Sequence, residues 1–456
     1  MLRRLALPAG PLLAVALYFL ADAQSQSHAL AATLGLTGWC ALWWVLEPVK
    51  APVTALLPLA AFPVLGVLDA RQVAQSYGHE LILLLGGGCM LSRALERSGA
   101  HRRLALGMVR AFGGGSGRSL LYGFIAACGL VSMWISNTAT TLLMLPVAMA
   151  ILQHYPDRRL DAPLVLAIAY GASVGGLGTP IGSPPNLVFM QVYAEATGTR
   201  YGFLDWMRVG VPVVLLFLPL MGWWLGRRLA GAPAAALPES GPWTPGERRV
   251  LWVFALTAAA WIFRSEPFGG WSGWLGLAGA NDASVALLAV VALCVIPDGK
   301  GSRLLDWETA ERVPWGALVL FGGGIALATA FQSSGLSGAL AGHLAGLGNL
   351  PLPLLLVAIV VAVLLMSEIA SNTATAVLMM PILAATGVAI GVDPALLMFP
   401  AVLAASGAFM LPVATAPNAI AYGSGLVSAQ RMFREGAMLN VLAAAVICTV
   451  CWFAFS

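Results

Sequence analysis

Two short polar stretches with the same sequence carry the residues of this chain best suited to binding ions. Residues 136–140 read SNTAT, and residues 371–375 read SNTAT again within otherwise apolar sequence. Each stretch offers hydroxyl oxygens, a carboxamide oxygen and a carboxamide N–H, all uncharged. Oxygen ligands suit a small hard cation, whereas hydroxyl and amide donors suit a carboxylate. The duplicated stretches therefore predict sites for a cation and an anion.

A segment rich in glycine and proline follows each polar stretch. Residues 175–186 read GGLGTPIGSPPN, and residues 411–418 read LPVATAPN. Proline removes a donor and interrupts a helix, so each segment predicts a break with free carbonyls near Gly182 and Ala414. Half-helix N-termini at such breaks can face an anion. Neither stretch nor break contains a charged residue, so a bound dianion would take its counter-charge from cations bound beside it.

The composition indicates a membrane protein that crosses the bilayer many times. Of 456 residues, 59% are apolar and 10% are charged, against about 25% charged in soluble proteins. The net charge of +4 is small, and we expect no nucleic-acid partner. The apolar segments predict eleven crossings, at residues 5–23, 29–47, 51–69, 80–97, 163–193, 207–226, 250–265, 283–297, 314–332, 394–426 and 435–455.

The N-terminal segment has two interpretations. Arg3 and Arg4 followed by the apolar run 5–23 resemble a signal peptide. The run is also long enough to span the bilayer, which needs about 20 residues. We expect a retained first helix.

Two further apolar regions, 117–155 and 351–391, do not behave as single crossings, because each is about twice the ~20 residues that a helix needs to cross. Arg118, Arg158 and Arg159 flank the first region, and if all three stay in the cytoplasm the region must enter and leave on one side. We predict a re-entrant hairpin with residues 136–138 at its tip, and a second one, entered from outside, with residues 371–373 at its tip.

The cationic residues give the chain an orientation. Of 24 Lys and Arg residues, all but Arg71, Arg200, Arg208 and Arg264 fall in segments predicted to be cytoplasmic, including the N-terminus. Residues 84–99 also resemble 320–335, and 180–186 resemble 412–418. Because five predicted crossings separate the hairpins, the two halves have opposite orientation. The predicted fold is all-α and integral to the membrane, with two inverted-topology repeats, each holding a re-entrant hairpin and a broken helix.

The paired SNT tips with downstream Ser183-Pro184-Pro185-Asn186 and the ATAPN run at 414–418 resemble the divalent anion:Na⁺ symporter family, which includes the solute carrier 13 dicarboxylate, citrate and sulfate transporters. One departure is Ala416, where family members often have proline. The resemblance implies a homodimer that works as an elevator. It assigns scaffold helices to 1–110 and 248–345, and transport-domain parts to 111–228 and 346–456. Residues 229–247, rich in Ala, Pro and Gly, are the predicted cytoplasmic linker.

The same resemblance implies site residues. One Na⁺ site would use Ser132, Ser136, Asn137 and the Gly182 carbonyl, and a second would use Ser367, Ser371, Asn372 and the Ala414 carbonyl. The substrate carboxylates would be held by Asn137, Thr138, Ser183, Asn372, Thr373 and Thr415.

We therefore expect a secondary transporter of the bacterial inner membrane that couples Na⁺ to uptake of C4-dicarboxylates such as succinate, malate or fumarate, with no organic cofactor. Sulfate or citrate as substrate, and Na⁺-independent exchange, remain alternatives within this class. An anion channel is a second class, and an intramembrane enzyme is disfavoured because no HExxH motif occurs. Glu368 is the one acid near a tip, and we expect it to be structural rather than functional.

Overall fold

The computed structural model describes residues 2–23, 27–113, 115–234, 241–266, 269–277, 279–344 and 350–455. In this part of the chain the regular structure is helical, and seven helices are long and apolar enough to cross a membrane. The predicted all-α membrane fold is confirmed at this level.

The described residues of the first half form twelve α-helices and one 3₁₀ turn, Arg158–Leu160. In chain order the helices are α1 (Leu2–Asp22), α2 (His28–Leu46), α3 (Ala51–Thr54), α4 (Leu56–Val64), α5 (Ala70–Tyr77), α6 (Glu80–Ser98), α7 (Ala100–Gly113), α8 (Gly117–Ser132), α9 (Asn137–His154), α10 (Asp161–Gly175), α11 (Pro184–Thr197) and α12 (Phe203–Leu225).

The described part of the second half repeats this order. Its helices are α13 (Pro245–Ile262), α14 (Gly270–Trp274), α15 (Asp282–Val295), α16 (Trp307–Ala310), α17 (Trp315–Ser333), α18 (Leu336–Leu344), α19 (Leu352–Ile369), α20 (Asn372–Ala389), α21 (Ala395–Ala405), α22 (Ala416–Gly423) and α23 (Ala429–Phe455). Helices α17 to α23 correspond one for one to α6 to α12. The duplication seen in short motifs therefore extends over seven consecutive helices.

Each predicted hairpin region consists of two helices that contact each other and are separated at the SNT tip. Helix α8 ends at Ser132 and α9 begins at Asn137, with the Ser136 hydroxyl accepting a hydrogen bond from the Ala139 N–H (3.3 Å). Helix α19 ends at Ile369, and α20 begins at Asn372. A Ser N-cap starts both second arms because its side chain and extended backbone suit the first turn of a helix.

The predicted crossing at 51–69 is not one continuous helix. It divides into α3 and α4 at Ala55. Pro58 lacks the N–H that would bond to the Thr54 carbonyl in a continuous helix, which explains a break at this point. At the same break, the Tyr77 hydroxyl donates to the carbonyl of Ala55.

The two repeats interlock around the helix breaks. Helix α11 of the first repeat packs against α20 and α21, and α22 of the second repeat packs against α9 and α10. The Tyr170 hydroxyl in α10 donates to the Phe409 carbonyl in the second break (2.8 Å). Polar segments distant in sequence thus lie in one packed body.

The ion pairs named here join partners that the sequence assigns to the same side of the membrane. Arg200 pairs with Glu80 (3.0 Å), and Arg264 pairs with Asp282 (2.6 Å), all in segments predicted to be outside. At segments predicted to be inside, ion pairs join Arg97 to Asp306, Arg103 to Glu247 and Arg227 to Glu435.

The predicted linker 229–247 falls partly on residues 235–240, which lie outside the described residues. Its two described ends are attached to the first repeat. The Tyr155 hydroxyl donates to the Pro233 carbonyl (2.6 Å), and the Arg103 guanidinium donates to the Pro242 carbonyl (2.9 Å).

Candidate functional site

The first candidate cation site brings three of its four predicted ligands together. The Ser132 hydroxyl donates to Asn137 Oδ1 (2.7 Å). A Cβ atom on Gly176 would lie 2.5 Å from Asn137 Oδ1 and 3.0 Å from the Gly182 carbonyl oxygen. The tip of the hairpin and the break therefore present oxygens to one small space. Ser136, the fourth predicted ligand, is exposed and caps α9.

The second candidate cation site repeats half of this arrangement. The Ser367 hydroxyl lies 2.9 Å from Asn372 Oδ1 and also contacts the Ala405 carbonyl. Ser371 is the N-cap of α20, and no side-chain capping bond uses its hydroxyl. Ala414 directly precedes the N-cap of α22. In the described part of the chain, no hydrogen bond joins Ala414 to Ser367 or Asn372; its N–H donates to Leu411 O (3.2 Å).

The asparagines of the two Pro-Asn motifs hold the breaks closed in the same way. Asn186 Nδ2 donates to the carbonyls of Gly176 (2.9 Å) and Thr179 (2.8 Å). Asn418 Nδ2 donates to the equivalent carbonyls, of Ala408 and Leu411, both at 3.0 Å. Non-helical backbone can exist at membrane depth only when its polar groups are paired or line a cavity. These side chains supply that pairing.

Each break also holds a buried oxygen that no protein donor reaches. Among the described residues, Asn186 Oδ1 and Asn418 Oδ1 are buried without a hydrogen-bond partner. The hydroxyls of Thr140 and Thr375, at equivalent places in α9 and α20, are buried and unpaired as well. Buried polar atoms are usually hydrogen-bonded, so an unpaired one calls for an explanation. The same atoms are unpaired in both repeats, which makes them part of the duplicated arrangement.

The predicted substrate ligands lie at helix N-termini. Ser183 and Thr415 are the N-caps of α11 and α22. Asn137 and Thr138 open α9, and Asn372 and Thr373 open α20. Four N-terminal ends, each with free N–H groups and a positive dipole end, thus carry the residues assigned to the anion.

One contact links the two breaks directly. Ser183 Oγ lies 3.3 Å from Ser406 Oγ, which follows α21. Ser183 is buried, while Thr138, Thr373 and Thr415 are half-buried. In the described part of the chain, no hydrogen bond joins the tip residues 137–138 to 372–373.

The Glu368 side chain holds the backbone of the second break in place. Its carboxylate accepts hydrogen bonds from the backbone N–H groups of Phe409 (2.8 Å), Met410 (2.9 Å) and Leu411 (3.0 Å). Asn440 Nδ2 donates to it as well (3.0 Å). Four donors satisfy a buried carboxylate that no cation neutralises by a direct ion pair among the described residues. The expected structural role agrees with these contacts.

Sequence reasoning missed two polar residues, Ser406 beside the breaks and Glu195 toward the far end of α11. Ser406 gave no motif signal. Glu195 was detectable as the acid of a Gln-x₃-Glu spacing in α11: Glu195 Oε1 accepts from Gln191 (2.7 Å) and from Thr329 of α17 (3.3 Å). This bond joins a predicted transport-domain helix to a predicted scaffold helix.

Comparisons with known proteins decide the family. A family model described as "Citrate transporter" matches residues 41–404, most of the chain. The chain belongs to this citrate transporter family. It is therefore a membrane transporter and not an enzyme.

Relatives agree with the resemblance to divalent anion:Na⁺ symporters that the motifs predicted, and they confirm it. The chain is 38% identical to the "Sodium-dependent dicarboxylate transporter SdcS" of Staphylococcus saprophyticus, over 97% of this chain and 90% of that protein. It is 36% identical to the protein of the same name from Staphylococcus aureus strain MW2, over 92% of this chain and 85% of that protein.

Two solved structures share the fold. The YdaH transporter of Alcanivorax borkumensis aligns with a TM-score of 0.61 at 17% identity, covering 89% of each chain. MtrF of Neisseria gonorrhoeae aligns with a TM-score of 0.59 at 15% identity, covering 86% of this chain and 84% of that one. At these identities the likeness concerns the fold alone.

Proposed function

We propose that this protein couples Na⁺ entry to the uptake of C4-dicarboxylates such as succinate, malate or fumarate. The observation that carries the proposal is the paired cluster of neutral oxygens. Ser132 with Asn137 at the first tip, and Ser367 with Asn372 at the second, have the same hydrogen bond and adjoin the same kind of helix break. Uncharged oxygens suit a hard monovalent cation that must bind and leave in each cycle.

Coupling would follow from charge. The candidate site around the tips and breaks has no basic residue to neutralise a dicarboxylate. Two bound cations would supply that charge and would also order the tips whose Thr138 and Thr373 contact the substrate. Dicarboxylate affinity would then depend on Na⁺, because bound Na⁺ completes the anion site and a bound dicarboxylate in turn favours the state that holds Na⁺.

The larger-scale features of the proposal come from the family resemblance. The transport-domain parts 111–228 and 346–456 would move as an elevator relative to the scaffold helices 1–110 and 248–345, in a homodimer. The protein would reside in the inner membrane with its N-terminus in the cytoplasm, as the distribution of cationic residues favours.

The experiment is uptake of labelled succinate into proteoliposomes that contain the purified full chain. An inward Na⁺ gradient is compared with K⁺, and unlabelled sulfate and citrate compete in parallel. Asn137→Ala and Asn372→Ala are each expected to lower Na⁺-dependent uptake at least tenfold, because each removes a cation ligand and a substrate contact.

The outcomes separate the alternatives. Uptake that requires Na⁺ and resists sulfate supports the proposal. Uptake without Na⁺, only into vesicles preloaded with dicarboxylate, would mean an exchanger and would remove the cation sites. Undiminished uptake in both asparagine variants would refute the site assignment.

Citrate is the second candidate substrate. The description of the matching family model favours it, and the same neutral site could accept a carboxylate of either molecule. Competition that is stronger for citrate than for succinate would change the substrate while leaving the coupling scheme in place.

A further inference from the structure

A cavity rich in arginine lies apart from the tips and breaks, between α10, α12 and α23. Its volume is about 510 Å³. Five guanidinium groups line it, from residues of both repeats that the sequence assigns to the cytoplasmic side: Arg159, Arg227, Arg228, Arg431 and Arg434.

The cavity carries more positive charge than its carboxylates balance. Arg159 pairs with Asp157 (2.7 Å), and Arg227 pairs with the buried Glu435 (2.8 Å). Among the described residues, the ion pair of Arg434 is with Glu435, which is already paired, at 3.6 Å. The arginines are therefore held near one another with incomplete compensation, an arrangement that favours a bound anion.

One lining residue has a donor that no other group satisfies. Nε of Arg431 is buried and has no hydrogen-bond partner among the described residues. Arg431 lies in the first turn of α23, where its backbone N–H donates to Ser428 Oγ (3.2 Å). A buried donor without an acceptor is costly, so the Arg431 guanidinium stands in the cavity wall without full compensation.

The walls suit a molecule with one charged and one apolar end. Leu166 and Leu225 line the cavity beside the arginines. The Trp224 ring stacks on the Arg227 guanidinium at 3.7 Å, and the neighbouring Trp223 is exposed. Tryptophans in such positions mark the level of lipid headgroups. Arginine forks match the oxygens of a phosphate group better than lysine does.

We propose that this cavity is a binding site for a phosphate-bearing anion on the cytoplasmic side of the protein. The phosphate can come from the headgroup of an anionic phospholipid or from a soluble phosphate compound. This inference does not depend on which substrate is transported, since none of these arginines belongs to the candidate transport site.

The test measures thermal unfolding of the purified full chain in detergent, followed by intrinsic tryptophan fluorescence. The probes are cardiolipin, phosphatidylcholine, and sodium pyrophosphate against sodium chloride of equal ionic strength. The variant Arg431→Gln with Arg434→Gln is compared with wild type and with a control that changes two exposed arginines elsewhere, Arg102→Gln with Arg248→Gln.

We expect cardiolipin to raise the Tm of the wild type and the control alike, and to raise that of the Arg431/Arg434 variant by less than half as much. An equal effect of pyrophosphate would assign the site to soluble phosphate compounds; its absence would assign it to lipid headgroups. Equal shifts in all three proteins with every probe would refute the site. If the double variant is not monodisperse, Arg228→Gln, which changes an exposed side chain, gives the same comparison.

Discussion

At the residue scale, the two repeats use different chemistry to hold equivalent turns. In the second repeat Glu368 accepts three backbone N–H groups of residues 409–411. In the first repeat its counterpart is Met133, whose carbonyl accepts from the Thr179 hydroxyl, and the N–H groups of Leu177 and Gly178 bond within their own turn. The candidate ligand oxygens are the same in both repeats, whereas the residues that support the breaks behind them differ.

Glu368→Gln should destabilise the protein strongly. The amide keeps the size of the side chain but places donors against backbone donors, and each buried N–H left unpaired costs about 1–3 kcal/mol. We expect a marked fall in Tm. Asn440→Ala removes one of the four donors and should cost less. A Glu368→Gln protein that melts with the wild type would contradict the structural role.

At the element scale, the first broken helix is more tightly built than the second. Gly176 lies against Asn137 Oδ1 and the Gly182 carbonyl, so a Cβ has no room there. The equivalent residue of the second repeat is Ala408, which is buried with its Cβ in place. The two candidate cation sites are therefore not interchangeable.

Gly176→Ala should impair the first cation site selectively. The added methyl must displace Asn137 or the break, and we expect the Na⁺ concentration for half-maximal uptake to rise at least fivefold. Gly107→Ala is the matched control, because a Cβ at this helical position in α7 meets no atom within 4 Å and alanine suits a helix better by about 0.5–1 kcal/mol. Equal Na⁺ dependence in both variants would argue against a cation site beside Gly176.

At the scale of the whole molecule, the contact between α11 and α17 provides a test of whether the predicted transport domain moves relative to the predicted scaffold. The Glu195–Thr329 hydrogen bond crosses the predicted boundary between the transport domain and the scaffold. An elevator movement of the transport domain against the scaffold must break this bond. A mechanism in which individual helices rock while the two domains stay together need not break it.

Linking Glu195→Cys to Thr329→Cys with a short thiol cross-linker, in a chain whose six cysteines are replaced, should stop succinate uptake while leaving Na⁺-dependent binding intact. The control links Arg264→Cys to Asp282→Cys, which lie together within the predicted scaffold. Uptake should persist in the control. Full uptake by the cross-linked Glu195/Thr329 protein would refute relative movement at this boundary.

The sequence alone determined the class and the repeat, and it supplied the candidate ligand residues. The length of an apolar segment and the charges that flank it are local properties of the sequence, and they determine whether and in which orientation the segment crosses the bilayer. The repeated SNTAT can be recognised in the sequence because such a polar stretch stands out within apolar sequence. The hairpin tips at 136–138 and 371–373 follow from the same patterns.

Only the tertiary structure decided what supports these residues. Asn186 and Asn418 close the breaks, Glu368 holds residues 409–411, and Ser406 reaches Ser183 across 223 positions of sequence. Spacing could not reveal these contacts because each depends on how the chain folds back around a break, and the Ser183–Ser406 contact depends also on how the two repeats interlock. The arginine cavity also could not be predicted from the sequence. Its arginines are ordinary charges flanking apolar segments, and the packing of α10, α12 and α23 brings them together.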